Sequence, residues 1–120
     1  MDSIKLTVII PIFNNVKDIH KLINSLLKQS LSDWECIIID DGSTDGSQEV
    51  VNDLIINDSR FQLLHRINFT PRKGANACRN LGLLKSSGNY IVFTGKRYEY
   101  LPVRHVRGQQ YLWIVQNLRD

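Results

Sequence analysis

Two adjacent carboxylates, Asp40 and Asp41, stand directly after the apolar run Cys36-Ile37-Ile38-Ile39 and directly before Gly42-Ser43-Thr44-Asp45-Gly46. A short apolar run bounded by turn residues reads as a strand buried on both faces. The carboxylates then fall at its carboxyl end, the edge at which open α/β sheets bind ligands. Side chains alternate across a strand, so at most one of the pair continues into the crevice as a regular strand residue. A carboxylate there can accept hydrogen bonds from a base N–H or a ribose hydroxyl. The same residues suit a turn in which both carboxylates satisfy backbone donors. An acidic receiver-type pocket is a third use of a strand end.

Basic residues form the second chemical group. Arg72 and Lys73 lie in the loop Thr70-Pro71-Arg72-Lys73-Gly74, and Arg79 lies shortly after it. Such residues can face a diphosphate, helped by free N–H groups at a helix start near Gly74. Taken singly, each also reads as part of a solvated basic face. The glycine spacing fits neither a P-loop nor a dinucleotide fingerprint, which argues against a kinase-type or NAD enzyme. His20, His65 and His105 are scattered and read as surface or packing histidines. Trp34 reads as an edge or core aromatic. Cys36 and Cys78 are the two cysteines. They make neither a disulfide framework nor a metal cluster and read as reduced buried thiols.

These groups need a scaffold, and 120 residues allow one domain with a modest core. The formal charge is +3, with most of the excess basic residues in the second half. That asymmetry suits a phosphate-bearing ligand, an anionic membrane surface or nucleic acid. No nucleic-acid motif accompanies it, so nucleic acid is not an expected partner. No apolar stretch reaches membrane-spanning length, and Met1-Asp2-Ser3-Ile4-Lys5 lacks a signal-peptide core.

Leu6 to Phe13 reads as a first strand, with regular pairing ending at Pro11. A helix is expected from about Val16 to about Gln29, on the spacing of Ile19, Leu22, Ile23, Leu26 and Leu27. The second strand ends at Asp40. Ser43-Thr44-Asp45 offers caps to a second helix, with Gln48 in a box-like position three residues after Asp45. Phe61–His65 is a third strand, about Ala75 to Lys85 a third helix, and Tyr90–Phe93 a fourth strand. Alternating strands and helices predict a mostly parallel sheet covered by helices. Beyond Phe93 the rhythm stops. Gln109 to Leu118 is assigned as a helix, although Tyr-Leu-Trp-Ile-Val is equally strand-prone.

Four blocks in this order carry a resemblance. They are Val8 to Asn15, then Ser25 to Ser30, then Trp34 to Asp45, and finally Ala77 to Gly82 with Gly88 to Phe93. Together they resemble the amino-terminal half of a family 2 glycosyltransferase, over about residues 5 to 93. The resemblance implies a three-layer, Rossmann-like, mostly parallel α/β sheet, here an incomplete GT-A domain. It divides the chain into a nucleotide-sugar-binding half, residues 1–93, and a divergent tail, residues 94–120.

The family's roles fall on particular residues. Pro11, Ile12, Phe13 and Asn14 would line the base and ribose. Asp41 would accept from the uracil edge, and Asp40 would support the same pocket. Gly74 and Arg79 would lie along the ribose–diphosphate side. The expected donor is a nucleotide-sugar such as a UDP-sugar, and the acceptor a glycan or lipid-linked sugar. The expected location is cytoplasmic, or peripheral to the inner face of the membrane. An exposed half-domain edge implies self-association.

The sequence also departs from the family. An acidic residue often follows the Asn14 position, where this chain has Asn15-Val16. More telling, the fourth strand is normally followed by a DXD-type motif that holds Mg2+ or Mn2+. Here Thr94-Gly95-Lys96-Arg97-Tyr98 follows, with no carboxylate. No bound cofactor and no catalytic residue is therefore expected for this chain, and turnover is not expected. The abrupt break fits a truncated product ending in a shifted frame, ahead of a degenerate relative or a metal-free variant. A non-catalytic nucleotide-binding or assembly module is the alternative function.

Overall fold

The computed structural model describes residues 5–28, 33–88, 90–93, 103–105 and 111–112. The chain runs β1 (Leu6–Ile12), α1 (Ile19–Leu27), β2 (Trp34–Asp40), α2 (Ser47–Ile55) and β3 (Phe61–His65). A 3-10 turn (Arg66–Asn68), α3 (Ala75–Lys85) and β4 (Tyr90–Phe93) follow, then β5 (Val103–His105) and β6 (Tyr111–Leu112). The sheet order is β3-β2-β1-β4-β5-β6. The first four strands are mutually parallel, and β5 and β6 join antiparallel.

Continuous apolar runs make β1 and β2 central because both of their faces are covered. On one face Val8, Ile10, Cys36 and Ile38 pack with Leu22 and Ile23 of α1 and Val51 of α2. On the other, Ile9, Ile37, Ile39 and Ile91 pack with Cys78 and Leu81 of α3. Helices thus cover both faces, giving the expected three layers. Each fully buried isoleucine contributes roughly 1.5–3 kcal/mol relative to exposure. Gly82 lets α3 approach closely: a Cβ there would lie 2.6 Å from Ile9 Cγ2.

Pairing between β1 and β2 continues past Pro11 to Ile12↔Asp40, which corrects the expected stop at Pro11. The Asp41 N–H donates to the Ile12 carbonyl at 2.9 Å. Ladder bonds alternate sides along a strand, so the Pro11 nitrogen faces β4. The described β1–β4 pairing has already ended at Ile9↔Phe93, so the missing donor breaks no described rung.

Two helix assignments also differ from expectation. α1 begins at Ile19, not near Val16. The Asp18 and Ile19 amides both bond the Asn15 carbonyl, making a turn ahead of the helix. Within the expected Gln109–Leu118 helix, Tyr111–Leu112 is instead strand β6. Its aromatic and apolar residues suit a pleated surface, and the β5 edge supplies a partner. The rest of that expected helix lies outside the described residues.

A polar knot holds the other end of the sheet. Thr7 Oγ1 donates to Glu35 Oε2 at 2.5 Å, and the Ser87 amide donates to the same oxygen at 2.6 Å. Ser87 Oγ donates to Glu35 Oε1 at 3.0 Å, and the Gly88 amide donates to Thr7 Oγ1 at 2.9 Å. Trp34 is a core aromatic, stacked edge-on against Phe61 and covered by the Arg60 guanidinium at 3.9 Å. Among the described residues, no helix is long and apolar enough to cross a membrane.

Candidate functional site

Asp40 and Asp41 leave the end of β2 toward opposite layers, as strand alternation requires. Asp40 is 1% exposed. Its Oδ2 accepts from the amides of Gly42 and Ser43, each at 3.0 Å, and from Gln48 Nε2 at 2.5 Å. Asp40 therefore fills the turn-and-cap role left open by the sequence. Its Oδ1 is buried without a hydrogen-bond partner. Gln48 does not close a capping box on Asp45. It reaches across to Asp40, because Asp45 is engaged elsewhere.

Asp41 turns toward α3. Its Oδ1 accepts from Arg66 Nε at 2.7 Å, and its Oδ2 accepts from the Gly74 amide at 2.9 Å. Its side chain is 15% exposed. One carboxylate thus ties the end of β2 to the turn after β3 and to the start of α3. Gly74 makes this possible with φ 106° and ψ 167°, a backbone region open essentially to glycine alone.

The β1–α1 and β2–α2 connections are laced together. The Asn14 amide donates to Ser43 Oγ at 2.9 Å, and the Thr44 amide donates back to Asn14 Oδ1 at 2.9 Å. The Asn15 amide donates to Ser47 Oγ at 3.0 Å, and the Val16 amide to Asp45 Oδ2 at 3.2 Å. The Phe13 amide donates to Asn15 Oδ1 at 2.7 Å. Asn14 holds a left-handed conformation, φ 53°, which asparagine tolerates better than most residues. The Asp45 carboxyl lies below its ordinary range, chiefly through the Ser47 hydroxyl, whose bond outweighs slight desolvation.

The remaining sequence candidates divide. Pro11 is half-buried at the carboxyl edge, and Phe13 is exposed. Ile12 sends its side chain into the core shared with α1 and α2, leaving its carbonyl to Asp41. Arg79 is half-buried in the second turn of α3, with Nη1 donating to Asn76 Oδ1 at 3.2 Å. Arg72 and Lys73 are exposed on the loop before Gly74. Both cysteines are buried and free. Burial pushes the Cys78 thiol up to about 11, with the Asp41 charge adding to the rise. Burial raises the Cys36 thiol well above its ordinary value, with Glu35 adding to it.

Arg66 and Gln48 are the members that sequence reasoning missed. A register signal exists for Arg66. Asp40 pairs with His65, so the next residues, Asp41 and Arg66, stand abreast beyond the two strand ends.

The described residues do not fit a divalent ion. Among the described residues, no group of three or more His, Cys, Asp or Glu side chains is placed to hold one. The stretch Thr94 to Tyr98 contributes no carboxylate in sequence, and its placement lies outside the described residues.

The sequence model described as Glycosyl transferase family 2 matches residues 7–96. An uncharacterized glycosyltransferase of Haemophilus influenzae is 43% identical over 89 residues, covering 73% of this chain and 34% of its own length. Glycosyltransferase GlyG of Streptococcus pneumoniae is 35% identical over 86 residues, covering 72% of this chain and 28% of its own. The chain thus spans about a third or less of the length of these curated relatives.

Among solved structures, S. aureus TarS 1-349 in complex with UDP-GlcNAc superposes with a TM-score of 0.66 at 29% identity. The match covers 75% of this chain and 26% of that one. Glucosyl-3-phosphoglycerate synthase from Mycobacterium tuberculosis, in complex with Mn2+, UDP and phosphoglyceric acid, gives a TM-score of 0.61 at 25% identity. That match covers 76% of this chain and 32% of the synthase. The α/β sheet with flanking helices is the fold of these GT-A neighbours. With the family match running through β1, β2, α3 and β4, the chain belongs to glycosyl transferase family 2.

Proposed function

We propose that the carboxyl edge of β1 and β2 binds the nucleoside diphosphate of a nucleotide-sugar, with uracil as the base. Asp41 accepts the imino N–H of the base. Pro11, Phe13, Asn14 and the Ile12 backbone line the base and ribose. The start of α3, from Gly74 to Arg79, follows the ribose and diphosphate. Asp40 acts from behind, holding the Gly42–Ser43 turn that frames the pocket. Residues 1–93 form this binding half, and residues 94–120 a divergent tail whose β5 and β6 extend the same sheet.

The observation that carries the reading is the Asp41 carboxylate, fixed by one donor on each oxygen and still 15% exposed. Each oxygen keeps a free acceptor site for a ligand donor. Support comes from TarS and the mycobacterial synthase, whose structures contain UDP-GlcNAc and UDP. We infer that in a longer protein of this kind the sugar would pass to a glycan or lipid-linked acceptor with help from a divalent ion, the mycobacterial synthase structure containing Mn2+ and phosphoglyceric acid.

This chain binds without transferring sugar. Departure of a nucleoside diphosphate develops charge that a metal ion normally meets. Thr94 to Tyr98 offers no carboxylate to hold one. The same absence favours the second reading, a non-catalytic binding or assembly module, in which self-association would use a sheet edge. Calorimetry of the purified chain with UDP, with and without manganese, tests the proposal. The expected result is binding that manganese does not strengthen. Absence of UDP binding overturns the proposal, and release of sugar from a UDP-sugar overturns the inactivity.

A further inference from the structure

Arg66 is only 2% exposed, at the joint between β3 and the loop leading to α3. Its Nε donates to Asp41 Oδ1 at 2.7 Å, and its Nη1 donates to the Thr70 carbonyl at 2.8 Å. A buried ion pair is a poor way to stabilise a fold, because desolvation of two charges offsets most of their attraction. An apolar side chain of similar volume would close the joint as well. The pair makes sense where the orientation of a carboxylate matters. With Arg66 on Oδ1 and the Gly74 amide on Oδ2, the Asp41 carboxylate cannot rotate without breaking both bonds. Asp40 cannot share this task, since it is 1% exposed and its Oδ2 already serves Gly42, Ser43 and Gln48.

On the nucleotide reading above, we propose that Arg66 is a positioning residue that fixes Asp41 for base recognition. It thereby sets a preference for bases that present an imino N–H. Uracil presents N3–H, a donor. Cytosine presents an acceptor nitrogen at the same place, beside an exocyclic amine. A carboxylate locked with its free lone pairs outward accepts from the first and repels the second. Released from Arg66, it rotates, reaches the exocyclic amine of cytosine as well, and discriminates less. Arg66 does this without touching the ligand.

The test is calorimetry of the full chain with UDP and with CDP, on unaltered protein, Arg66→Gln and Arg66→Lys, with thermal melts alongside. The unaltered chain is expected to prefer UDP over CDP by about tenfold or more. Arg66→Gln is expected to weaken UDP binding by about tenfold and to bring the two nucleotides within about threefold. Arg66→Lys is expected to recover part of the preference. Its ammonium can meet Oδ1 but cannot also fork to Thr70. If Arg66→Gln does not fold, the double variant Asp41→Asn with Arg66→Gln leaves no unpaired charge. The amide then offers both a donor and an acceptor, so UDP and CDP are expected to bind alike.

Undiminished UDP preference in folded Arg66→Gln, or in the double variant, overturns the Arg66 role and leaves the nucleotide reading standing. Equal affinity of the unaltered chain for UDP and CDP overturns the Arg66 role and the choice of uracil, and leaves binding of a nucleoside diphosphate standing. An unaltered chain that binds neither nucleotide overturns the nucleotide reading and the Arg66 role with it.

Discussion

The Gly74 amide and the Asp41 carboxylate are joined by a 2.9 Å hydrogen bond across 33 residues of chain. The bond depends on a backbone conformation, φ 106° and ψ 167°, that a side chain disfavours. Nothing lies within 4 Å of a Cβ built at Gly74, so the cost of substitution is conformational and not steric crowding. Gly74→Ala is expected to lose about 1–3 kcal/mol of stability in urea titration. It is also expected to weaken UDP binding, because relaxing the backbone withdraws the donor from Asp41. A variant as stable as the parent would show that another conformation serves equally well.

Helix α3 is held against β1 by the missing side chain of Gly82. A Cβ there would meet Ile9 Cγ2 at 2.6 Å, closer than real contacts tolerate. Gly82→Ala is expected to cost about 1–3 kcal/mol. Ile9→Ala is expected to cost more, about 2–5 kcal/mol. Combined, the two should cost less than their sum, since the truncated Ile9 makes room for the new methyl group. Strict additivity in urea melts would refute the steric account.

Acid should loosen the far end of the sheet. Burial raises the Glu35 carboxyl, but bonds from Thr7 and from the Ser87 amide and hydroxyl, with the Lys5 charge, outweigh it. The net position is below the ordinary 4.5. A carboxyl depressed in the folded state contributes stability that is fully present above its unfolded value. That contribution is lost as pH falls through the folded value. Glu35→Gln is therefore expected to be less stable than the parent near neutral pH, with the difference shrinking below 4.5. Urea titrations at several pH values measure it, and a difference that grows on acidification would contradict the sign.

The two thiols should be silent in the native chain. Cys36 and Cys78 are buried, and desolvation places Cys78 at about 11. At a pH near 8, roughly typical of free thiols, the reactive thiolate is scarce at both sites. A thiol reagent is expected to label neither cysteine in buffer and both in denaturant. Rapid labelling of the folded chain would mean that one side chain is accessible.

Much of the scaffold is legible because it rests on local pattern. The runs at Cys36–Ile39 and Phe61–His65, and the spacing through Ala75–Lys85, specify their elements without reference to distant residues. The site is less legible because its bonds are long-range. Nothing near Gln48 in sequence indicates that it serves Asp40 and not a capping box. The late start of α1 has the same origin, since the Asn15 and Val16 amides are drawn to Ser47 and Asp45 on another loop. Arg66 is one of many basic residues until the β2–β3 register sets it beside Asp41. The β6 strand competes with a helix of similar local preference, and pairing to β5 decides it.

The lacing between the first two loops carries one more consequence. Phe13, Asn14, Asn15 and Val16 are four consecutive amides, and every one already donates to a side-chain oxygen. A run of unengaged amides is what makes a backbone cradle for phosphate oxygens. This run is closed to anions, so on the nucleotide proposal the charge of the diphosphate falls to α3 and the basic loop before it.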